Sequence, residues 1–264
     1  MDLGLTGKVA IVTGGSDGIG KAAATAMAEE GAKVAIVSRT QADLDAAAAD
    51  IKSETGNNDI LGIAADVTDE AQVQSMVDTV VGTWGGLDIL VNNAGTSAAG
   101  KFEDVENETW DTDLGIKVYG AIHCSRAALP HMKQRGGGRI INTTTPGGKA
   151  SAGGSLPTSL SRAAGISLTK AMSKDYAADN ILINTICVGI LKSRQHRRRW
   201  EAANAQDSSL TLDKFYNNMG GRVPVGRIGE AREAGDVICF LASERASYIT
   251  GASINVDGGS SPVV

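Results

Sequence analysis

The chain has 264 residues, 42% of them hydrophobic, and 25 basic against 30 acidic side chains give a net charge of −5. This acidic balance argues against a nucleic-acid partner, because binding to phosphate backbones requires a basic face. No run approaches the roughly 20 apolar residues of a membrane span, and the three scattered cysteines form no metal-ligand spacing. Since no secretory signal is visible, we expect a cytoplasmic protein with one large domain over 1–264.

Seven short β-branched runs alternate with helix-length segments along the chain. The runs lie at 8–13, 33–38, 60–65, 87–92, 138–144, 181–187 and 252–257. They are too short for helices and too apolar for a sheet with one solvated face, so each predicts a buried strand. The repeated strand–helix order predicts a single-domain α/β fold: a doubly wound parallel sheet of about seven strands, with right-handed crossovers and helices on both faces.

The first strand ends in a glycine-rich turn, "TGGSDGIG", directly before an Ala-rich segment. Glycine allows a sharp turn and lets backbone N–H groups approach a pyrophosphate, while the helix N-terminus adds partial positive charge. An ordinary strand-to-helix turn is the alternative, but the strand–turn–helix context favours a nucleotide site. The predicted contacts are Gly14, Ser16, Asp17, Gly18, Ile19 and Gly20.

The end of the second predicted strand, "VSRT", bears on the choice of cofactor. A site that prefers NAD usually has an acidic residue here for the ribose hydroxyls. Ser38 and Arg39 instead offer a hydroxyl and a guanidinium, which suit the 2′-phosphate of NADP. Asp17 is an unfavourable neighbour for that phosphate, and Arg39 could also be an ordinary exposed residue. The pattern favours NADP(H) over NAD(H).

With these motifs, the chain resembles the short-chain dehydrogenase/reductase family almost from end to end. "TGGSDGIG", "ADVTD" (65–69), "VNNAG" (91–95) and the tail "RVPVGRIGEAREAGDVICFLASERASYITGASINVDGG" are all similar to family signatures. The resemblance implies a Rossmann fold, a small-molecule substrate and a homo-oligomer, tetramer or dimer, formed through helices within 109–135 and 157–179. Further cofactor contacts that it implies are Asp66, Val67, Asn93, Ala94, Gly95, Val188, Gly189, Leu191 and Ser193.

Members of this family use a Tyr acid, a Lys four residues later, a Ser and an Asn, and this chain departs at all four positions. Thr158 aligns with the Tyr and Arg162 with the Lys. Thr145 aligns with the Ser, and Lys117 aligns with the Asn of the central helix. Arg162 still offers a permanent cation for ribose hydroxyls, and it also counts among the cofactor contacts. The Thr158 hydroxyl is too weak an acid to replace a phenol.

Lys117 is the candidate proton donor in place of the missing Tyr. If it lies in a partly dry pocket near Arg162, desolvation and the like charge lower its pKa toward a useful range. The structural interpretation is a lysine paired with Asp111 or Asp113, and the sequence leaves both open. None of the four tyrosines is well placed to substitute, although Tyr216 could swing in from a lid.

Two functions fit this altered site. The first is an NADPH-dependent reductase acting on an activated C=N, C=C or C=O bond, with Lys117, Thr145, Thr158 and Arg162 at the reaction centre. Reduction of a protonated imine needs no new proton on nitrogen, and the enolate formed from a conjugated alkene can be held by hydrogen-bond donors. The second is a non-catalytic sensor or scaffold that binds NADP(H).

Residues 188–229 interrupt the strand–helix rhythm, since about forty residues separate the sixth strand from the next helix. A loop of that length in a compact domain is usually functional, so we expect a substrate lid here. The lid contains the basic run "KSRQHRRRW" at 192–200. Arg197, Arg198 and Arg199 are either a solvated helix start or a site for an anionic part of the substrate.

Overall fold

A seven-stranded parallel sheet lies at the centre of the computed structural model, which describes residues 2–264. All seven predicted runs form strands, in the order β3-β2-β1-β4-β5-β6-β7. The strand order reverses between β1 and β4, as in a doubly wound sheet, and ligands bind at the carboxyl ends of strands near such a reversal. The strands are β1 (Val9–Thr13), β2 (Lys33–Ser38), β3 (Ile60–Ala64), β4 (Ile89–Asn92), β5 (Gly138–Thr144), β6 (Ile181–Val188) and β7 (Ser253–Val256).

Helices cover both faces of the sheet. They are α1 (Gly18–Glu29), α2 (Gln41–Thr55), α3 (Glu70–Trp84), α4 (Asn107–Leu114), α5 (Gly120–Gln134), α6 (Thr158–Asp175), α7 (Arg194–Asn204), α8 (Leu212–Gly220) and α9 (Ala231–Ala242). Asp69 caps α3 by accepting hydrogen bonds from the Ala71 and Gln72 amides. Within residues 2–264, no helix has the length and apolar character needed to cross a lipid bilayer.

Alternate residues of each central strand pack into two separate hydrophobic cores. Ala10 and Val12 of β1 face the core formed with α1, α2 and α9. Val9 and Ile11 face the opposite core, which α3 and α5 complete. Because side chains alternate across a strand, a continuous apolar run buries both faces of the sheet. This explains why the apolar runs predicted the strands correctly.

A π-helical turn at Gly115–Tyr119 joins α4 to α5. The central helix therefore runs from Asn107 to Gln134 with one widened turn in the middle. Such turns are uncommon and occur frequently at functional sites. Lys117 lies at the centre of this turn, and its side chain is buried.

The segment 188–229 is more ordered than the long loop that we predicted. It contains helices α7 and α8, whose first turns are capped by side chains. Ser193 Oγ accepts a hydrogen bond from the His196 amide, and Thr211 Oγ1 accepts one from the Lys214 amide. A Ser or Thr at such a position satisfies an amide that the helix leaves unpaired, and this signal was present in the sequence.

Candidate active site

The glycine turn after β1 has the close packing that a dinucleotide phosphate requires. Gly14 and Gly18 have φ values of 64° and 54°, in the left-handed region that favours glycine. A Cβ on Gly20 would lie 2.2 Å from the Gly14 carbonyl oxygen, so only glycine fits there. Asn93 Nδ2 donates to the Thr13 and Gly14 carbonyls at 3.2 and 3.3 Å and holds the turn against the end of β4. Ser16 and Ile19 are half-buried in the same turn.

The carboxyl end of β2 lies beside this turn and offers two groups for an anion. The Ser38 Oγ is buried without a hydrogen-bond partner among residues 2–264, and the Arg39 side chain is exposed. Asp66, at the end of β3, accepts from the Thr68 amide and hydroxyl at 2.9 and 2.7 Å. These bonds lower the pKa of Asp66, and the Arg39 charge lowers it further. The buried, unpaired hydroxyl and the free guanidinium fit an added phosphate group.

Asp17, the predicted obstacle to that phosphate, is paired with a cation from the lid segment. Arg194 Nε donates to Asp17 Oδ2 at 2.9 Å, and both side chains are about half exposed. The pair joins the first turn of α7 to the residue that precedes α1. The negative charge of Asp17 is thereby balanced, which the sequence did not reveal.

The predicted contacts after β6 lie between the sheet and α7. Val188 and Leu191 are buried, and Leu191 pairs with Gly229 in a short parallel bridge. A Cβ on Gly189 would lie 2.7 Å from Asp257 Cα, so this position also requires glycine. The Ser193 hydroxyl oxygen caps α7 by accepting the hydrogen bond from the His196 amide.

Lys117 points into the protein, toward the first turn of α6. Its Nζ donates to Thr158 Oγ1 at 3.1 Å and to Asp113 Oδ1. The exposed fractions of the Lys117 and Asp113 side chains are only 2% and 1%. Burial lowers the pKa of Lys117, the Arg162 charge lowers it further, and Asp113 opposes both effects. Of the two acids considered as partners, Asp113 is therefore the one that pairs with Lys117.

Thr158 begins α6 and its hydroxyl is fully engaged. Thr158 Oγ1 accepts hydrogen bonds from the Lys117 ammonium and from the Ala98 amide, the latter at 3.0 Å. It also lies 3.4 Å from Asp113 Oδ1. Because a threonine side chain is much shorter than a tyrosine, the lysine ammonium reaches the space beside this position.

Arg162 lies one helical turn after Thr158, beside the same lysine. A Cβ placed on Gly95 would lie 3.2 Å from Lys117 Cγ and 3.3 Å from Arg162 Nη2, so both cationic side chains lie close to this glycine. Arg162 Nη1 donates to the Thr143 carbonyl at 2.6 Å. Burial lowers the pKa of Arg162 to about 10, so it is a cation at neutral pH.

Lys117 and Arg162 line a small cavity that both polar and apolar side chains enclose. Three buried atoms on residues that line it have no hydrogen-bond partner among residues 2–264: Asn92 Oδ1, Thr143 Oγ1 and Arg162 Nε. Unpaired buried polar atoms are uncommon in folded proteins and mark a place where a polar group fits. Val67 and Ala94, both predicted cofactor contacts, line the same cavity.

Thr145 and the tyrosines make no hydrogen bond to this network among residues 2–264. Thr145 directly follows β5 and is half-buried, with no hydrogen bond in the described range that ties it to Lys117 or Thr158. Tyr119 is 57% exposed, and Tyr216 packs against Lys192 with its ring centroid 5.6 Å from Nζ. None of the four tyrosines in the described chain lines the cavities beside Lys117.

Sequence reasoning missed the acid at the centre of the site as a functional group. Asp113 joins Lys117 and Thr158 to Ser161, whose Oγ donates to Asp113 Oδ2 at 2.6 Å. A spacing of four residues places Asp113 and Lys117 on one helix face, a signal that the sequence did contain. The result is a buried ammonium held by a carboxylate beside Thr158. This arrangement can donate a hydrogen bond or a proton, and it can stabilise negative charge.

Comparison with known proteins shows the family to which this chain belongs. The model of a family described as enoyl-(acyl carrier protein) reductase matches residues 14–261. An uncharacterised oxidoreductase from Thermotoga maritima is 35% identical over 257 residues, which cover 97% of this chain and 98% of the relative. The chain belongs to the short-chain dehydrogenase/reductase family. The predictions of the fold and of the family from the sequence are thereby confirmed. The family is one of oxidoreductases.

Two solved protein structures superimpose closely on the whole chain. L-sorbose reductase from Gluconobacter frateurii, in complex with NADPH and L-sorbose, matches with a TM-score of 0.95 and 31% identity, covering 100% of both chains. A short-chain oxidoreductase from Pseudomonas aeruginosa PAO1, described as containing an atypical catalytic center and solved with NADPH, matches with a TM-score of 0.91 and 33% identity. This second match covers 99% of both chains.

Proposed function

We propose that this chain is an NADPH-dependent reductase that transfers hydride to an activated C=N, C=C or C=O bond of a small substrate. The observation that carries the proposal is the Lys117 ammonium, buried and 3.1 Å from Thr158 Oγ1, at the residue that aligns with the family's Tyr acid. The choice of NADP(H) is supported by Ser38 Oγ and Arg39 beside the glycine turn. The two NADPH-bound relatives support it independently.

The protein's own groups act on the proton and on the developing negative charge. When bound, the reduced nicotinamide supplies a hydride to the substrate carbon. For a carbonyl, the Lys117 N–H bond breaks as the proton passes to oxygen, and solvent returns a proton to the amine. A protonated imine takes hydride alone. For a conjugated alkene, Lys117 and Thr145 hold the enolate oxygen while water protonates carbon. Arg162 is assigned to the ribose hydroxyls.

The test is NADPH oxidation by the purified protein with cyclic imines, enones, enoyl thioesters and ketones, each in neutral and acidic forms. We expect turnover on at least one class, and a fall in kcat of about 100-fold or more for Lys117→Gln, as for loss of a general acid. A KM that is lower for acidic than for neutral members of a class, with the difference lost when Arg197, Arg198 or Arg199 is replaced by Gln, would identify the proposed anionic group of the substrate. NADPH that binds tightly with no turnover on any class would refute the reductase.

A sensor or scaffold that binds NADP(H) without catalysis is the second candidate. The observation that favours it is the full engagement of Lys117 and Thr158 with Asp113, an arrangement that a structural ion pair would also have. The same substrate panel separates the two candidates, because the sensor predicts cofactor binding alone. Against the sensor, each of the four replaced residues retains hydrogen-bonding ability.

The lid and the oligomer remain part of the proposal. A lid over 188–229 is supported by the Arg194–Asp17 pair, which joins α7 to the glycine turn. A homo-oligomer through the helices within 109–135 and 157–179 is supported by two exposed apolar side chains, Tyr119 in the π-helical turn at 57% and Leu160 in α6 at 46% exposure. Exposed apolar side chains on neighbouring helices are typical of an interface between copies.

A further inference from the structure

Asp113 is the one buried carboxylate that touches both the central helix and α6 within the described site. Its side chain is 1% exposed. Oδ1 accepts from the Lys117 ammonium, and Oδ2 accepts from Ser161 Oγ at 2.6 Å. Thr158 Oγ1 lies 3.4 Å from Oδ1. The carboxylate therefore ties the lysine to the first turn of the helix that carries Thr158 and Arg162.

The buried positive charges of Lys117 and Arg162 require a negatively charged partner. Lys117 and Arg162 both lie close to Gly95, and the Arg162 charge lowers the pKa of Lys117. Removing one member of a buried ion pair leaves an uncompensated charge, which is strongly unfavourable. Without Asp113, a lysine in this position would lose its proton more readily than an exposed one.

We propose that Asp113 is a positioning residue, whose carboxylate keeps the Lys117 ammonium protonated and directed at Thr158. The inference rests on the proposed reductase function, since it assigns Lys117 the proton that the reaction consumes. It adds a fifth residue to the four that align with the family's catalytic set. It also explains why Ser161 is buried against the carboxylate rather than facing solvent.

The groups that face Lys117 set the direction of the pH dependence. They are Asp113 from α4 and Arg162 from α6, with Glu108 on a cavity of about 250 Å³ that Lys117 also lines. Cys187 of β6 faces Arg162 in turn. Activity that needs the protonated lysine is present below the lowered pKa of Lys117 and is lost as the pH rises through it. Neutralising Asp113 lowers that pKa further, so activity is lost at a lower pH.

The decisive experiment is the pH profile of kcat/KM for Asp113→Asn, measured on the NADPH-loaded enzyme. We expect its alkaline limb to move down by about one pH unit or more. Asp111→Asn is the matched control, because Asp111 is an exposed acid on the same helix, and its profile should equal that of the native enzyme. Asp113→Glu keeps the carboxylate and should restore most of the limb.

Ser161→Ala provides a variant that keeps every charge, in case the Asn variant fails to fold. It removes the 2.6 Å hydrogen bond to Asp113 together with a 3.0 Å bond to the Thr158 carbonyl within α6, so we expect a lower kcat with an unchanged KM. The proposal would be overturned if the kcat/KM of Asp113→Asn had the same alkaline limb as that of the native enzyme. A Ser161→Ala enzyme with the native kcat would also overturn it.

A readout without turnover separates this inference from the proposed function. The titration of the Lys117 side chain can be followed by ¹³C NMR, with Lys117→Met to assign the signal. If no substrate reacts, the reductase is refuted, yet a lower lysine pKa in Asp113→Asn would still support the role of Asp113. An equal lysine pKa in both proteins would overturn that role, whatever the substrate panel shows.

Discussion

The buried Asp113–Lys117 pair makes a quantitative prediction about stability. The two side chains are 1% and 2% exposed, so each charge depends on the other rather than on water. Lys117→Met leaves a buried carboxylate, and Asp113→Leu leaves a buried ammonium. Each single change should lower the free energy of unfolding by about 3–5 kcal/mol. The double variant leaves neither charge, and apolar replacement of a whole pair is often neutral or stabilising by about 1–4 kcal/mol.

Urea unfolding of the native protein, both single variants and the double variant measures this cycle. The matched control is Lys133→Met, because Lys133 pairs with Asp179 at 2.8 Å with side chains 47% and 38% exposed. Because solvent screens that surface pair, its loss should cost much less than loss of either member of the buried pair. Single variants at the buried pair that cost no more than the control would refute the reasoning. So would a double variant whose loss equals the sum of the two single losses.

Two further predictions concern the cofactor turn. Arg194→Gln should raise the Kd for NADPH about 2- to 5-fold, and for NADH less, because Asp17 regains an unbalanced charge beside the 2′-phosphate. Arg198→Gln, exposed on the same helix, is the control, and equal effects on both cofactors in a fluorescence titration would contradict the prediction. Gly20→Ala should abolish NADPH binding, since its Cβ would meet the Gly14 carbonyl. Gly82→Ala, in open space on α3, should instead raise the free energy of unfolding by about 0.4–1 kcal/mol. If Gly20→Ala bound NADPH with the native Kd in the fluorescence titration, the turn would have to relax around the added Cβ.

The sheet could be predicted from the sequence because its strands are buried on both faces. A continuous apolar run such as that of β1 is buried on both sides only when it lies in the middle of a covered sheet. Alternate residues of β1 accordingly pack into the two cores. The glycine turn was equally predictable, since Gly14 and Gly20 are required by the backbone itself. These features depend on local patterns and need no knowledge of distant contacts.

The partners of the charged site groups could be predicted only in part. Spacing along the helix favours Asp113 as the partner of Lys117, but the widened turn at Gly115–Tyr119 changes where side chains on either side of it point. The bonds to Ser161 and from Arg194 to Asp17 join residues 48 and 177 positions apart. Such contacts depend on how crossovers pack against one another, which no local pattern encodes.

The dependence of Lys117 on Asp113 also limits how this site can change in evolution or in a mutant library. A lysine introduced alone at this point of a related enzyme would meet Arg162 without an opposing carboxylate, and an aspartate introduced alone would be buried without its ammonium. Each single step is therefore disadvantageous, although the two together are tolerated. Libraries that vary one codon at a time will therefore score the loss of either charge as damaging, and at position 113 they will accept a change such as Asp113→Glu that keeps the carboxylate.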